Sequence, residues 1–405
     1  MNPLLSRLQP YPFERLRQLF STVTPNPAFS AISLGMGEPK HPTPAFLQQA
    51  MVDAIASQPS GLAAYPATAG EPRLREAFTR WLHTRYQLEV NPATQVLPVN
   101  GSREALFALA QTLINPSPDA VVVCPNPFYQ IYEGAALLSG AQPYFVASDP
   151  KRNFAQDWDS VPDAVWARTQ LLFVCSPGNP TGAVMPLSEW AKLFALSDRH
   201  GFVIASDECY SEIYFRDEPP LGGLEAATQL GRTDFKNLVM MTSLSKRSNA
   251  PGLRSGFVAG DAALMKQFLL YRTYHGSAMS HTIQAASVAA WNDETHVMAN
   301  REQYRDKFAQ VTPVLQSVLD VKLPDAAFYL WAKVPAHVCG GSDTVFAAQL
   351  LQQQNVTVLP GSYLAREVGG HNPGQGYIRM ALVAETAECL EAAQRMTAFI
   401  GSSKG

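Results

Sequence analysis

Cysteine is scarce and dispersed in this chain: Cys124, Cys175, Cys209, Cys339 and Cys389 form no CxxC pair and no Cys/His cluster. An odd, scattered set argues against a disulfide framework and against a zinc site, so no metal is expected. Cys124, Cys175 and Cys209 sit in or just after apolar runs, which predicts buried core thiols. Charge is sparse too. Charged residues make up 16% of the chain, the formal net charge is −3, and no run of Lys and Arg forms a basic tail. That leaves no electrostatic case for nucleic acid or an anionic membrane as partner. Long apolar runs are missing as well. No uncharged span could cross a bilayer, and Arg7, Glu14, Arg15 and Arg17 interrupt the opening stretch where a signal peptide would be continuous. These absences predict a cytoplasmic protein without internal repeats or low-complexity segments.

What is present is a hydrophobic content of 46% over 405 residues. A chain of that length exceeds what one growing core accommodates, so a large domain plus a smaller one is expected. Short apolar runs alternate with amphipathic stretches from about Thr94 to Gly260. The strand candidates are Gln95–Val99, Ala120–Cys124, Gln170–Cys175, Phe202–Ser206, Leu238–Thr242 and Gly256–Ala259. Continuous apolar strands between helices predict an α/β fold with a mostly parallel sheet covered on both faces. After a helix near Thr282–Trp291 the texture changes. Helices at Lys307–Leu319 and Asp343–Gln354 and strands at Ala327–Val334 and Tyr377–Ala381 read as a smaller α+β unit. The Pro-rich opening reads as an extended arm joining it. The expected division is a large domain over 48–288, with 1–47 and 289–405 forming the arm and the small domain.

The segment from Thr242 to Arg254, TSLSKRSNAPGLR, follows a strand and then loses regularity. A lysine after a strand is ordinarily solvated surface. Arg254, eight residues beyond Lys246 and accompanied by Ser243 and Ser245, makes an anion grip by charge-assisted hydrogen bonds, with Gly252 allowing close approach. The pattern SLSKxxxxxGxR resembles the cofactor-lysine motif of the class I/II aminotransferases, the fold-type I pyridoxal-phosphate (PLP) enzymes. Three further segments match that family in order: Asn179-Pro-Thr-Gly182 after a strand, Asp207-Glu-Cys-Tyr210 at a strand end, and Arg379 in a strand near the C-terminus.

The resemblance implies pyridoxal 5'-phosphate as cofactor and a role for each matched residue. Lys246 would carry the cofactor as a Schiff base and then serve as the base that moves a proton between substrate and cofactor. Asp207 would face the pyridine nitrogen and favour its protonated form. Asn179 and Tyr210 resemble the pair that hydrogen-bonds the cofactor's phenolic oxygen. Gly101, Ser102 and Arg103, at the start of a helix, would join Ser243, Ser245 and Arg254 around the phosphate. Tyr129 aligns with the aromatic residue that stacks on the ring. Arg379 looks like the clamp for the substrate α-carboxylate, with Gly37 lining that end. Tyr65 resembles the tyrosine that reaches the partner's phosphate across a dimer interface, which implies a homodimer with shared sites.

The stretches YRTYHGSAMS from Tyr271, GSREALF from Gly101 and LQPYPFER from Leu8 are similar to bacterial N-succinyldiaminopimelate aminotransferases of lysine biosynthesis. That similarity implies amino transfer between glutamate and N-succinyl-2-amino-6-ketopimelate. Both substrates carry a distal carboxylate, so a second cationic or hydrogen-bonding site is expected, with Arg103, Arg272, His275 and Lys40 as candidates. Family members tend to have Pro where this chain has His281. Other α-amino acid substrates, such as aspartate or aromatic amino acids, and a PLP-dependent C–S lyase activity are the alternatives.

Overall fold

The computed structural model describes residues 1–402 of the chain. Eight strands form the main sheet in the spatial order Val96–Val99, Gly256–Gly260, Leu238–Ser243, Val203–Asp207, Thr169–Cys175, Val121–Asn126, Gln142–Asp149, Ala155–Gln156. The five strands from Leu238–Ser243 to Gln142–Asp149 run parallel to one another. Gly256–Gly260 is antiparallel to both its neighbours, and the short Ala155–Gln156 is antiparallel at the far edge. The sheet is therefore mostly parallel, as expected for an α/β chain of this pattern.

Side-chain alternation explains why its strands read as unbroken apolar runs. Val121, Val123, Leu172, Val174 and Ile204 pack into the core on one face, and Val122, Cys124, Leu171, Phe173 and Ala205 into the core on the other. Both faces are covered by helices, so neither alternate set needs to be polar. One strand was invisible to that reading. In Gln142–Asp149 only Val146 is fully buried, because the strand lies next to the sheet edge, and its mixed sequence QPYFVASD hides it.

A second, antiparallel sheet pairs Tyr377–Ala381 with Tyr329–Lys333 on one side and Leu359–Pro360 on the other. It has its own core, built from Tyr304, Phe308, Val311, Phe328, Ile378, Met380 and Phe399 among others. A parallel pairing of Ile32–Ser33 with Val356–Thr357 ties the N-terminal segment to this part. The opening is only partly an extended arm. Pro12–Phe20 is an α-helix, with Pro12 at its first turn, where the missing N–H costs nothing. The helix expected at Lys307–Leu319 runs instead over Thr295–Gln316. Its buried side includes Asn300, Lys307 and Thr312 among the apolar residues, and those polar members obscure the periodicity. Among the described residues no helix is long and apolar enough to cross a membrane.

Candidate active site

The carboxyl ends of the parallel strands converge on a cavity of about 680 Å³. In open α/β sheets this is where ligands bind, because chain reversals leave side chains and helix starts facing one crevice. Asp207 ends its strand, Ser243 ends the next, and the strand end Cys175 leads into Asn179. The small sheet contributes Tyr329 and Arg379, and the N-terminal segment contributes Tyr11, Pro12, Phe13, Met36, Gly37 and Glu38.

Lys246 lies in a four-residue helix, Leu244–Arg247, directly after the strand Leu238–Ser243. Its Nζ donates to the Gly37 carbonyl at 2.8 Å and sits 5.2 Å from the centre of the Phe328 ring. Burial pushes its ammonium down to about 8, and the nearby Arg379 and Arg103 guanidinium groups act in the same direction. At neutral pH a usable fraction of this amine is therefore unprotonated.

Asp207 is 5% exposed. Its Oδ2 accepts from Tyr132 Oη at 2.9 Å and its Oδ1 from the Cys209 N–H at 3.3 Å. Burial raises its carboxyl above the usual range, while these hydrogen bonds favour the ionised form. Tyr132 is wholly buried and stacks on Phe173, so the tyrosine, and with it one carboxylate oxygen, has a fixed position.

Arg379 is also buried. Its Nη1 donates to Asn179 Oδ1 at 3.0 Å, its Nη2 to the Gly35 carbonyl at 2.9 Å, and its guanidinium lies 4.3 Å above the Tyr329 ring. Its Nε has no hydrogen-bond partner among the described residues. Tyr210 Oη shares a 2.9 Å hydrogen bond with Tyr329 Oη, and burial raises the Tyr210 phenol well above its ordinary range. The Gly37 backbone is pressed against this pair, and a Cβ there would overlap the Tyr329 hydroxyl.

At the other end, Gly101 precedes the helix Ser102–Leu113 with a φ of 87°, a conformation glycine adopts without strain. A Cβ at Gly101 would run into the Arg254 guanidinium, so the two form one close-packed cradle. Arg254 donates from Nη1 to the Pro251 carbonyl at 3.0 Å. Ser243, Ser245 and Ser102 line the same end, and Cys209 Sγ donates to Ser102 Oγ at 3.0 Å. Among the described residues a Cβ at Gly252 would meet nothing within 4 Å, so close packing is not what that glycine provides. Arg103 Nε donates to Tyr129 Oη at 2.6 Å, placing both at the cavity wall.

Of the residues singled out in the sequence, Gly37, Ser102, Arg103, Tyr129, Asn179, Asp207, Tyr210, Ser243, Ser245, Lys246, Arg254 and Arg379 line this one cavity, and Gly101 packs behind Arg254. Tyr65 does not; it is fully exposed on the surface. Three candidates for a distal carboxylate also lie outside it. Arg272 is buried against both carboxylate oxygens of Glu104 at 2.5 Å each, His275 stacks on Tyr271, and Lys40 is exposed, 4.0 Å from Glu388. Arg103 alone of the four faces the cavity. Cys124 is a buried core thiol as expected, but Cys175 and Cys209 line the cavity. The sequence reading missed Tyr132, Tyr329, Cys209 and Tyr11. Tyr132 could have been found, since it lies three residues after Tyr129 at a helix start and shares its side.

These residues suit pyridoxal phosphate. An anion cradle, a buried carboxylate and a lysine of lowered pKa bound one cavity, and the Gly101–Arg254 contact leaves that cradle no room for a larger residue.

The profile of the family "Aminotransferase class I and II" matches residues 30–396. The chain is 31% identical over 395 residues to an LL-diaminopimelate aminotransferase of Nitratidesulfovibrio vulgaris, covering 97% of each. A crystal structure of an aminotransferase from Neisseria meningitidis is similar with a TM-score of 0.94 and 53% identity, over 98% of this chain and 99% of that one. A "probable N-succinyldiaminopimelate aminotransferase" from Thermus thermophilus aligns with a TM-score of 0.83 at 25% identity, over 96% and 98% of the two chains. Site, fold and sequence agree, and the chain belongs to the class I and II aminotransferases, the PLP-dependent enzymes that move amino groups between small amino and keto acids.

Proposed function

We propose that the chain exchanges an amino group between glutamate and N-succinyl-2-amino-6-ketopimelate, with Lys246 as the cofactor's attachment point and catalytic base. The observation that carries the site reading is the joint facing of Lys246, Asp207 and Arg379 on one cavity. Bound there, pyridoxal phosphate supplies an aldehyde that links to an amine and a ring that draws electrons from the substrate's Cα.

The protein's own groups divide the remaining work. Lys246 Nζ, with its pKa near 8, takes a proton at neutral pH and gives it up again at little cost, which suits a base that must do both. Asp207 sits at the cavity wall with its oxygens held by Tyr132 and the Cys209 amide, donors that favour its ionised form, and a negative charge there would favour a protonated ring nitrogen. Asn179 Oδ1 holds one arm of Arg379, which leaves the guanidinium oriented to receive a carboxylate and so to decide which Cα–H faces Lys246. Ser102, Ser243, Ser245, Arg254 and the amides after Gly101 would take the phosphate, Tyr129 the ring face, and Tyr210 with Asn179 the phenolic oxygen.

The reading includes a cytoplasmic homodimer in which Tyr65 serves the partner's site, supported by that tyrosine's complete exposure on its own subunit. It also includes a large unit over 48–288 and a small unit from 1–47 and 289–405, supported by their separate sheets and cores.

The succinylated substrate is supported by the sequence similarity described above, by the Thermus structure, and by Arg103 at the cavity wall as a partner for a distal carboxylate. A second reading, unsubstituted LL-diaminopimelate as amino donor, is favoured by the name of the 31% identical relative and by Glu38 in the same wall, which would suit a free distal ammonium. A panel at fixed 2-oxoglutarate decides between them. N-succinyl-LL-2,6-diaminopimelate should give the highest kcat/KM, above LL-diaminopimelate, aspartate and phenylalanine. Equal or lower turnover of the succinylated compound would refute the proposal.

A further inference from the structure

The helix Leu244–Arg247 has only four residues, too few for its last carbonyls to find partners within it. The Lys246 carbonyl finds one elsewhere: Asn300 Nδ2 donates to it at 3.3 Å. Asn300 is 3% exposed and stands on the helix Thr295–Gln316, whose far end packs in the core of the small sheet. Its Oδ1 accepts from Asn249 Nδ2 at 2.8 Å and lies 2.9 Å from His41 Nδ1. His41 Nε2 in turn lies 2.9 Å from Lys307 Nζ, on the same helix as Asn300 and 1% exposed.

The hydrogen bonds in this chain have one self-consistent direction. An ammonium has donors only, so Lys307 donates to His41 Nε2 and the proton of the neutral imidazole sits on Nδ1. That proton points at Asn300 Oδ1, which fixes the amide's orientation and turns its N–H toward the Lys246 carbonyl. Among the described residues no carboxylate lies within ion-pair distance of Lys307, and its only hydrogen-bond partner is His41. Its other contact is with the face of the Tyr304 ring, 5.0 Å from the centre, and a cation buried with no carboxylate partner is costly and calls for a reason.

Sequence position supplies one. His41 lies four residues after Gly37, whose carbonyl accepts from Lys246 Nζ. A single short segment therefore holds the lysine at both ends, its amine directly and its peptide through Asn300. We infer that Asn300, oriented by His41 and Lys307, is a positioning residue that fixes the backbone of Lys246 against the helix Thr295–Gln316. The inference rests on the reading of Lys246 as the reactive lysine. Proton transfer tolerates little misplacement, and an error of about 1 Å in such a group can cost on the order of a hundredfold in rate.

The test compares the rate at which apoprotein covalently captures pyridoxal phosphate, read as growth of a visible absorbance band, with the non-covalent affinity for pyridoxamine phosphate, which lacks the aldehyde. Asn300→Asp keeps the acceptor for His41 and Asn249 and removes the donor to Lys246. It should slow capture and lower kcat by tenfold or more, while KM for glutamate and pyridoxamine phosphate affinity stay within threefold. Asn300→Ala should do the same, and His41→Ala should have a smaller effect of the same kind. Capture and kcat within twofold of the parent in the folded Asp and His41 variants, with or without a lowered melting temperature, would overturn the inference. Lys246→Ala separates the two layers: if that variant captures the cofactor at the parent rate, the reading of Lys246 itself falls, whatever the Asn300 variants do.

Discussion

At the scale of single residues, burial lowers the pKa of both Lys246 and Lys307, and what sets Lys246 apart is where its amine faces. Lys307 is committed to His41 and lies outside the cavity; Lys246 faces it. The unprotonated amine is the form that attacks an aldehyde, so cofactor capture should follow deprotonation. With a pKa near 8, about a tenth of the amine is free at pH 7 and about nine-tenths at pH 9. Stopped-flow absorbance should show capture accelerating about tenfold over that interval and then levelling. An unshifted lysine, near 10.4, would give a rise of about a hundredfold with no plateau. The residues proposed for that chemistry, which line the one cavity, were legible in the sequence because each sits in a short, ordered motif: SLSK, NPTG, DECY and the strand arginine. Tyr329 and Asn300 were not, because their positions come from folding that brings together segments far apart in the chain. Arg272 shows the converse. A cation in a suggestive motif turns out to be spent inside the protein, on Glu104.

At the scale of elements, the site depends on two chain reversals. One leads from the strand Val96–Val99 into the helix Ser102–Leu113 through Gly101, and the other from Leu238–Ser243 into the lysine-bearing turn. Gly101→Ala tests the first. The substitution costs about 1 kcal/mol or more for a β-carbon at positive φ, and the added methyl must also displace Arg254. The expected result is at least a tenfold weaker Kd for pyridoxamine phosphate, measured by fluorescence quenching, with a modest loss of thermal stability. An unchanged Kd would mean that Arg254 does not form the anion cradle. Strands buried on both faces were easy to read from sequence, since their runs are uninterrupted. The edge-proximal Gln142–Asp149 and the first half of Thr295–Gln316 were not, because partial exposure or buried polar groups break the pattern.

At the scale of the whole molecule, the cavity is closed by parts from three regions: the carboxyl ends of the main sheet, the small sheet, and the N-terminal segment from Tyr11 to Glu38. The parallel pairing of Ile32–Ser33 with Val356–Thr357, and the Ala381 N–H donated to the Leu34 carbonyl, tie that segment to the part of the chain that carries Arg379. The dimer proposal adds a fourth contributor, Tyr65 of the second subunit. Dilution below the dimer dissociation constant should then abolish activity in parallel with the change in sedimentation, and Tyr65→Phe should weaken cofactor affinity without altering the dimer. Full specific activity in a fraction that sediments as monomer would contradict shared sites.

The central claim is that Lys246 carries the cofactor, and it can be read directly from the protein. Holoenzyme is reduced with borohydride, digested, and searched by mass spectrometry for the peptide bearing the added cofactor mass. The account predicts one modified position, Lys246, and no modification in the Lys246→Ala variant. Cofactor fixed to any other lysine, or covalent attachment that survives the substitution, would contradict it.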